Sequence, residues 1–152
     1  METTKTSKQR YKVQIAPYQS WINSIIIPST LIALYLFTLI GIKINVVGTL
    51  IFIFAIITHL NYKRAEVPKI CYTAPILYYV YNVVSIPLMI LLFISPNEII
   101  LSTLLSLITI ILLILVIVFY YISASVIKKQ YPNLKDDFRK ANIEYKSSKK
   151  SL

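Results

Sequence analysis

Residues 99–122 read IILSTLLSLITIILLILVIVFYYI, a run of apolar and small polar side chains that contains no acidic or basic residue. A helix rises 1.5 Å per residue, so about 20 such residues cross a hydrocarbon core about 30 Å thick. Three other runs, Trp21 to Ile40, Ile44 to Leu60 and Ile70 to Ile94, have the same character. The sequence therefore predicts an all-α integral membrane protein with four transmembrane helices, over about 21–40, 44–60, 70–94 and 98–123.

The basic residues are distributed unequally around these four runs. Of the 16 Lys and Arg residues, four precede the first run, three lie between the second and third, and eight follow the fourth, which leaves only Lys43. Positively charged flanks stay on the cytoplasmic side, so both termini and the 61–69 loop are predicted to be cytoplasmic. The short connections, Gly41 to Lys43 and Ser95 to Asn97, predict two antiparallel helical hairpins. Ser95-Pro96-Asn97-Glu98 is also typical of a capped helix start.

This topology divides the chain into a basic cytoplasmic N-terminal arm (1–20), a four-helix bundle (21–123) and a basic cytoplasmic tail (124–152). The bundle is the only domain, because about 30 residues of tail cannot form a core of their own. Tyr11, Tyr18 and Trp21 precede the first span, where aromatic rings favour the membrane interface. The net charge of +10 lies beside the spans. It is therefore assigned to the anionic lipid of the inner leaflet, and no nucleic-acid partner is predicted.

The tail contains a second helical pattern. Tyr131-Pro132 ends the fourth helix, because the residue before a proline disfavours the helical region, and Asn133 can cap a new helix. From there, apolar residues recur at spacings of four, three and four and form a contact face: Leu134, Phe138, Ala141 and Tyr145. We therefore expect a short amphipathic C-terminal helix that lies on the inner leaflet or docks to a partner.

Uncharged polar residues form stripes inside the last two spans. Residues three or four apart share a helix face, and this spacing groups Tyr78, Asn82 and Ser85 in one span and Ser102, Ser106 and Thr109 in the other. Both stripes lie at similar depths and are predicted to face each other, either as hydrogen bonds between helices or as a path for a solute. Pro75 and Pro87 predict kinks in the third span. Since no Asp, Glu, Lys or Arg lies within a span, charge-coupled transport is disfavoured.

A cytoplasmic contact cluster is the only place where the sequence collects groups suited to catalysis. It consists of His59, Asn61, Lys63, Arg64 and Cys71. The spacing shows no paired Cys/His ligands for zinc, no glycine-rich phosphate loop and no Ser/His/acid set. We therefore predict no catalytic residue, no metal site and no cofactor, and we expect that the protein is not an enzyme.

Three classes of function are compatible with these features. The first is a protein that acts by binding another membrane component, as an accessory subunit or an immunity-type protective partner. The second is a passive carrier or an oligomeric pore, and the third is a small membrane enzyme at the cytoplasmic headgroup layer. The first class requires no missing residue, and its partner is another membrane protein or a second copy of the chain.

The composition also bears on location. Frequent Ile, Lys, Asn and Tyr fit an AT-rich bacterial genome, which favours the cell membrane of a bacterium. The last four residues, Lys149-Lys150-Ser151-Leu152, resemble the dilysine signal that retrieves membrane proteins to the endoplasmic reticulum of eukaryotic cells. The endoplasmic reticulum membrane is therefore the alternative location.

Overall fold

The structure, a computed structural model, describes residues 2–42, 45–94 and 99–150. The predicted turn residues Lys43 and Ser95 to Glu98, and the end of the dilysine-like tail, lie outside these ranges. Across the described residues the regular structure is entirely helical, with five α-helices and one short 3₁₀ helix: α1 Glu2–Leu39, α2 Asn45–Arg64, the 3₁₀ helix Lys69–Tyr72, α3 Thr73–Ile94, α4 Ile99–Gln130 and α5 Leu134–Lys150.

Among the described residues, three helical segments are long and apolar enough to cross a membrane: Lys8–Leu39, Lys69–Leu91 and Ile99–Gln130. The second of these joins the 3₁₀ helix to α3. The predicted second span corresponds to α2, which is 20 residues long and carries Lys63 and Arg64 in its last turn. Its apolar part is therefore shorter than that of the other three. The described part of the chain is all-helical, and the length and composition of its helices fit a membrane location.

The first helix organises the packing. α1 is 38 residues long and passes residue 20 without a break, although Pro17 and Pro28 both lie inside it. Ser24 of α1 meets Tyr62 of α2, whereas Thr38 and Gly48, toward the opposite ends of the same two helices, line one groove. The helices α1 and α2 therefore lie side by side and run in opposite directions.

The fourth helix also runs opposite to both of its large neighbours. The Tyr121 hydroxyl lies 3.1 Å from the Ser29 hydroxyl of α1. The Ser123 hydroxyl lies 3.4 Å from the Cys71 carbonyl just before α3, and Val116 packs in the same core cluster as Tyr78. After Gln130 the helix breaks, and α5 runs along the first half of α1 in the direction opposite to α1, since Phe138 stacks on Tyr18 and Tyr145 on Tyr11.

The kink predicted at Pro75 does not occur, because a helix begins just before this residue. The helix α3 begins at Thr73, so Pro75 lies in its first turn. The backbone N–H groups of a first turn have no partner inside the helix, and a proline there removes nothing. Pro87, in contrast, lies inside α3, where it does remove a helical donor.

The two ends of the bundle differ in packing. Two clusters of buried residues fill the space between the helices. The first lies in the middle of the bundle and includes Ile27, Ala55 and Tyr78. The second lies at one end, called the basic end here because Arg64, Lys69 and Lys128 lie there, and consists of Ala16, Tyr62, Ala65, Val67, Cys71, Ile127 and Leu134. At the other end, the far end, large apolar side chains are exposed on the helices, and Ile100 reaches 88%. The buried core therefore extends from the middle of the bundle to the basic end.

Candidate functional site

Buried hydroxyl groups connect α1 to α2 at the basic end. Tyr62 and Ser24 are both fully buried, and their hydroxyl oxygens lie 2.6 Å apart. The Ser24 hydroxyl donates to the Ser20 carbonyl at 2.6 Å, which leaves Tyr62 as the donor to Ser24. Tyr120 is equally buried, but its hydroxyl has no hydrogen-bond partner among the described residues. Tyr62 is therefore held by a hydrogen bond as well as by packing, whereas Tyr120 is held by packing.

The predicted cytoplasmic contact cluster is only partly assembled. Arg64 Nη1 donates a hydrogen bond to Asn61 Oδ1 at 3.1 Å. Asn61 Nδ2 in turn donates to Gln19 Oε1 of α1 at 3.3 Å. Lys63 is exposed. Asn61 thus forms a polar connection between α1 and α2, and the bond from Arg64 lies within α2.

The other two members of that cluster have different neighbours. The His59 ring stacks on Tyr79, with 5.9 Å between ring centroids, and meets the edge of Tyr72. Cys71 is fully buried in the second core cluster, beside Ser123. The described residues contain no group of three or more His, Cys, Asp or Glu side chains arranged for a metal ion. The geometry therefore gives His59 an aromatic setting and Cys71 a place in the core.

The contact face of the tail is covered by the chain itself. The Phe138 ring stacks on Tyr18 and the Tyr145 ring on Tyr11, each with 4.3 Å between ring centroids. The Tyr11 hydroxyl also donates to Asn142 Oδ1. The other two members of the face, Leu134 and Ala141, are buried at 6% and 3% exposure. The face predicted to meet a membrane or partner thus packs against the first half of α1.

A strained turn closes the basic end. Glu66 has a φ of 50°, the left-handed conformation usual for glycine after a helix. The Val67 N–H donates to the Tyr62 carbonyl, which completes the turn. The Tyr131 hydroxyl donates to the Ala65 carbonyl. A tyrosine phenol is protonated at neutral pH and can serve as a donor. Burial raises the pKa of Tyr131 further, and the Glu66 carboxylate adds to the increase.

The two predicted polar stripes form their hydrogen bonds locally. Asn82 donates to the Tyr78 carbonyl at 2.7 Å, and Ser85 donates to the carbonyl of Tyr81. In α4, each polar side chain of the stripe likewise donates to a carbonyl three or four residues earlier: Ser102, Ser106 and Thr109. The expected bonds between the two stripes are not among the hydrogen bonds of the described residues. The stripe of α3 points instead toward α1 and α2.

This stripe lines a groove between α1, α2 and α3 toward the far end. The groove has a volume of about 410 Å³. Its lining residues, which define the far groove, are Leu31, Leu34, Tyr35, Thr38, Gly48, Ile51, Tyr78, Tyr81, Asn82, Ser85 and Leu113. Its volume lies in the range of about 300–1,000 Å³ common for ligand pockets.

The far groove combines an open wall with a polar one. A side chain added at Gly48 meets no atom within 4 Å of its Cβ, so α2 leaves space there. On the opposite wall, Tyr78 and Tyr81 stack at 6.0 Å beside Asn82. The groove offers amide and hydroxyl groups without a formal charge, which suits hydrogen bonding to another uncharged polar group inside a membrane.

Sequence reasoning identified only one wall of this groove. Tyr35, Thr38 and Gly48 were missed, although Leu31, Leu34, Tyr35 and Thr38 recur at the three- and four-residue spacing of one helix face. That periodicity was available in the sequence. Which faces meet depends on how the helices pack, and this is set by long-range contacts.

No protein-family model matches the chain, and no curated protein or solved structure shows significant similarity to it.

Proposed function

We propose that this chain is a small multi-pass protein of the cell membrane that acts by binding another membrane component, as an accessory subunit or an immunity-type partner. Its contact site is the far groove, and its action requires no catalytic residue. The observation that supports the proposal is an open groove between three helices, lined by uncharged hydrogen-bonding side chains, in a bundle that is well packed at its other end.

The proposed topology has four spans arranged as two antiparallel hairpins, with both termini in the cytoplasm. Four helices packed side by side in alternating directions support it, as do the fifteen basic residues that flank one end of the bundle. In this arrangement α2 is the second span, and Asn61 to Arg64 lie in the cytoplasmic headgroup layer. The far groove then opens within the outer half of the bilayer.

A helix of a membrane partner is the occupant that fits this groove best. Lipid tails are as apolar as leucine side chains, so helices in membranes associate through close packing and polar contacts. Each hydrogen bond between helices contributes about 0.6–2 kcal/mol. Gly48 allows the close approach of a partner helix, and Asn82 and Tyr81 supply the polar contacts.

A second candidate, the passive carrier or oligomeric pore, is favoured by one feature of the same groove. Its polar wall carries no ionisable group that is charged at neutral pH, which suits an uncharged polar solute. Such a carrier would raise solute flux in liposomes that contain only this protein. A binding partner would leave the vesicles tight.

Site-specific photo-crosslinking in the host cell tests the binding function. A photoreactive side chain at Tyr81, which lines the groove, should capture one membrane partner. The same side chain at Val83, two residues away and 65% exposed, should not. Equal capture at both positions, or capture of lipid alone at Tyr81, contradicts the proposal.

Substitutions at Gly48 add a control for the groove itself. Gly48→Leu fills the open wall and should abolish the Tyr81 adduct, whereas Gly48→Ala adds a single methyl group and should keep it. Both variants should fold, since no neighbouring atom blocks the new Cβ. Retention of the adduct in Gly48→Leu means that the partner binds elsewhere on the bundle.

A further inference from the structure

A second cavity, of about 380 Å³, lies at the basic end beside the junction of α4 and α5. Its lining includes three basic side chains, Lys128, Lys135 and Arg139, together with Trp21 and the carboxylate of Asp136. The five residues come from three helices, and four of them carry a formal charge at neutral pH. This cavity, called the basic cavity here, has no role in the function proposed above.

The wall that α5 contributes is held in place by buried contacts. Leu134, the first residue of α5, is 6% exposed and packs in the second core cluster. One turn later, Phe138 stacks on Tyr18, whose ring lies 6.0 Å from that of Trp21. Lys135 and Arg139 are four residues apart on α5, so they project from the same side of this anchored helix.

The lining of the basic cavity carries more positive than negative charge. Among its described lining residues, Asp136 is the one acidic side chain, against the basic side chains of Lys128, Lys135 and Arg139. Three positive charges and one negative charge, that of Asp136, leave an excess of two positive charges around the cavity. An anionic ligand would therefore meet complementary charge.

The position of the basic cavity relates that ligand to the membrane. Lys128 lies where the apolar part of α4 gives way to basic residues, and a tryptophan such as Trp21 prefers the headgroup region of a bilayer. A lipid bound there could place its phosphate among the basic side chains and its acyl chains along the apolar faces of α1 and α4. A soluble phosphate would leave those faces without a contact.

We propose that the basic cavity binds the phosphate of an anionic phospholipid headgroup. Arg139 offers a planar fork of donors to phosphate oxygens, and the two lysines add point charges. The site requires only that α1 and α4 lie in a membrane. It would remain if the far groove had no partner, so the two proposals fail independently.

Trp21 is the only tryptophan of the chain and therefore reports directly on this cavity. The full chain is reconstituted in vesicles of mixed phosphatidylglycerol and phosphatidylcholine, with bromine, a fluorescence quencher, on the acyl chains of one lipid at a time. We expect brominated phosphatidylglycerol to quench Trp21 more strongly than brominated phosphatidylcholine at the same mole fraction. Equal quenching by the two lipids overturns the proposal.

Two double variants with the same change in net charge separate a built site from general attraction. Lys128→Gln/Lys135→Gln removes two lining charges, and Lys129→Gln/Lys140→Gln removes two exposed charges outside the lining. The first should reduce the preference for phosphatidylglycerol by about fivefold per lysine, and the second should leave it nearly unchanged. Equal reductions in both variants mean that the effect is only general surface charge.

Inorganic phosphate distinguishes the lipid from a soluble ligand. Added at millimolar concentration to the wild-type vesicles, it should not reverse the quenching by brominated phosphatidylglycerol, because the acyl chains hold the lipid at the site. Reversal by phosphate, at an ionic strength matched with chloride, would show that the cavity takes a soluble phosphate and would contradict the assignment to lipid.

Discussion

The basic end and the far end of the bundle use similar side chains in different ways. At the basic end, Tyr62 is fully buried and its hydroxyl bonds to Ser24 on another helix. At the far end, Asn82 and Ser85 bond to carbonyls of their own helix and face a groove. A polar group that bonds across helices fixes their packing, whereas one that bonds locally leaves the packing free. We therefore propose that the basic end serves stability and that the far end serves recognition.

The largest expected change in stability comes from replacing one of two adjacent tyrosines of α4. Tyr120 is fully buried, whereas Tyr121 is 40% exposed. Tyr120→Ala leaves a cavity in the core and should lower the free energy of unfolding by about 3–5 kcal/mol. Tyr121→Ala should lower it by about 1 kcal/mol or less. Unfolding in detergent, followed by Trp21 fluorescence, measures the free energy of unfolding of both variants. Similar losses in the two variants would mean that Tyr120 contributes no more to the core than the exposed Tyr121.

The next largest expected change is in the stability of α5 against local unfolding. Phe138→Ala removes the ring that stacks on Tyr18, and a 17-residue helix is barely stable alone. We expect the hydrogen-exchange protection of the α5 amide protons to fall by about 2 kcal/mol, because the variant loses ring stacking and buried apolar area. The α4 amide protons should keep their protection. Ile143→Ala, at a position 69% exposed, is the matched control and should change neither. Unchanged protection in Phe138→Ala would mean that the stack does not hold α5.

Hydroxyl deletions separate bonding from packing at the basic end. Tyr62→Phe removes the donor to Ser24 and should reduce stability by about 1 kcal/mol. Tyr120→Phe removes a buried hydroxyl that has no partner in the described structure, so stability should stay constant or rise slightly. Both values come from the same unfolding measurement. A larger loss in Tyr120→Phe than in Tyr62→Phe would reverse the assigned roles.

The turn at Glu66 offers a small gain in stability. Glu66 adopts a φ of 50°, where a glycine has no Cβ to strain the backbone. Glu66→Gly should stabilise the protein by about 0.5–1 kcal/mol after the greater flexibility of the unfolded chain is included. Glu66→Ala removes the carboxylate but keeps the Cβ, and it should give no such gain. A gain in both variants would show that charge, rather than backbone strain, limits this turn.

The sequence predicted those features that depend on neighbouring residues. An example is the end of α4 at Gln130, just before Tyr131-Pro132. Apolar periodicity and proline stereochemistry are local properties, so they are visible in one sequence. The start of α3 at Thr73 was missed, and Pro75 was therefore assigned a kink that its place in the first turn does not produce.

Long-range contacts account for the rest. The bond between Tyr11 and Asn142 joins residues 131 positions apart, and no local pattern indicates it. The aromatic residues of the N-terminal arm were interpreted as interface anchors, but Tyr11 and Tyr18 stack on α5. The two polar stripes were expected to pair because their depths match. Depth does not fix helix rotation, and a hydroxyl can always reach the carbonyl one turn earlier in its own helix.

The variant Asn82→Leu distinguishes recognition from stability as the role of the polar wall of the far groove. We expect this variant to keep the unfolding free energy of the wild type within about 1 kcal/mol, since the hydrogen bond of Asn82 lies within its own helix. We also expect loss of the partner adduct formed by a photoreactive side chain at Tyr81. A variant that loses stability but still forms the adduct would contradict the proposed binding role, because Asn82 would then hold the bundle together and would not recognise a partner.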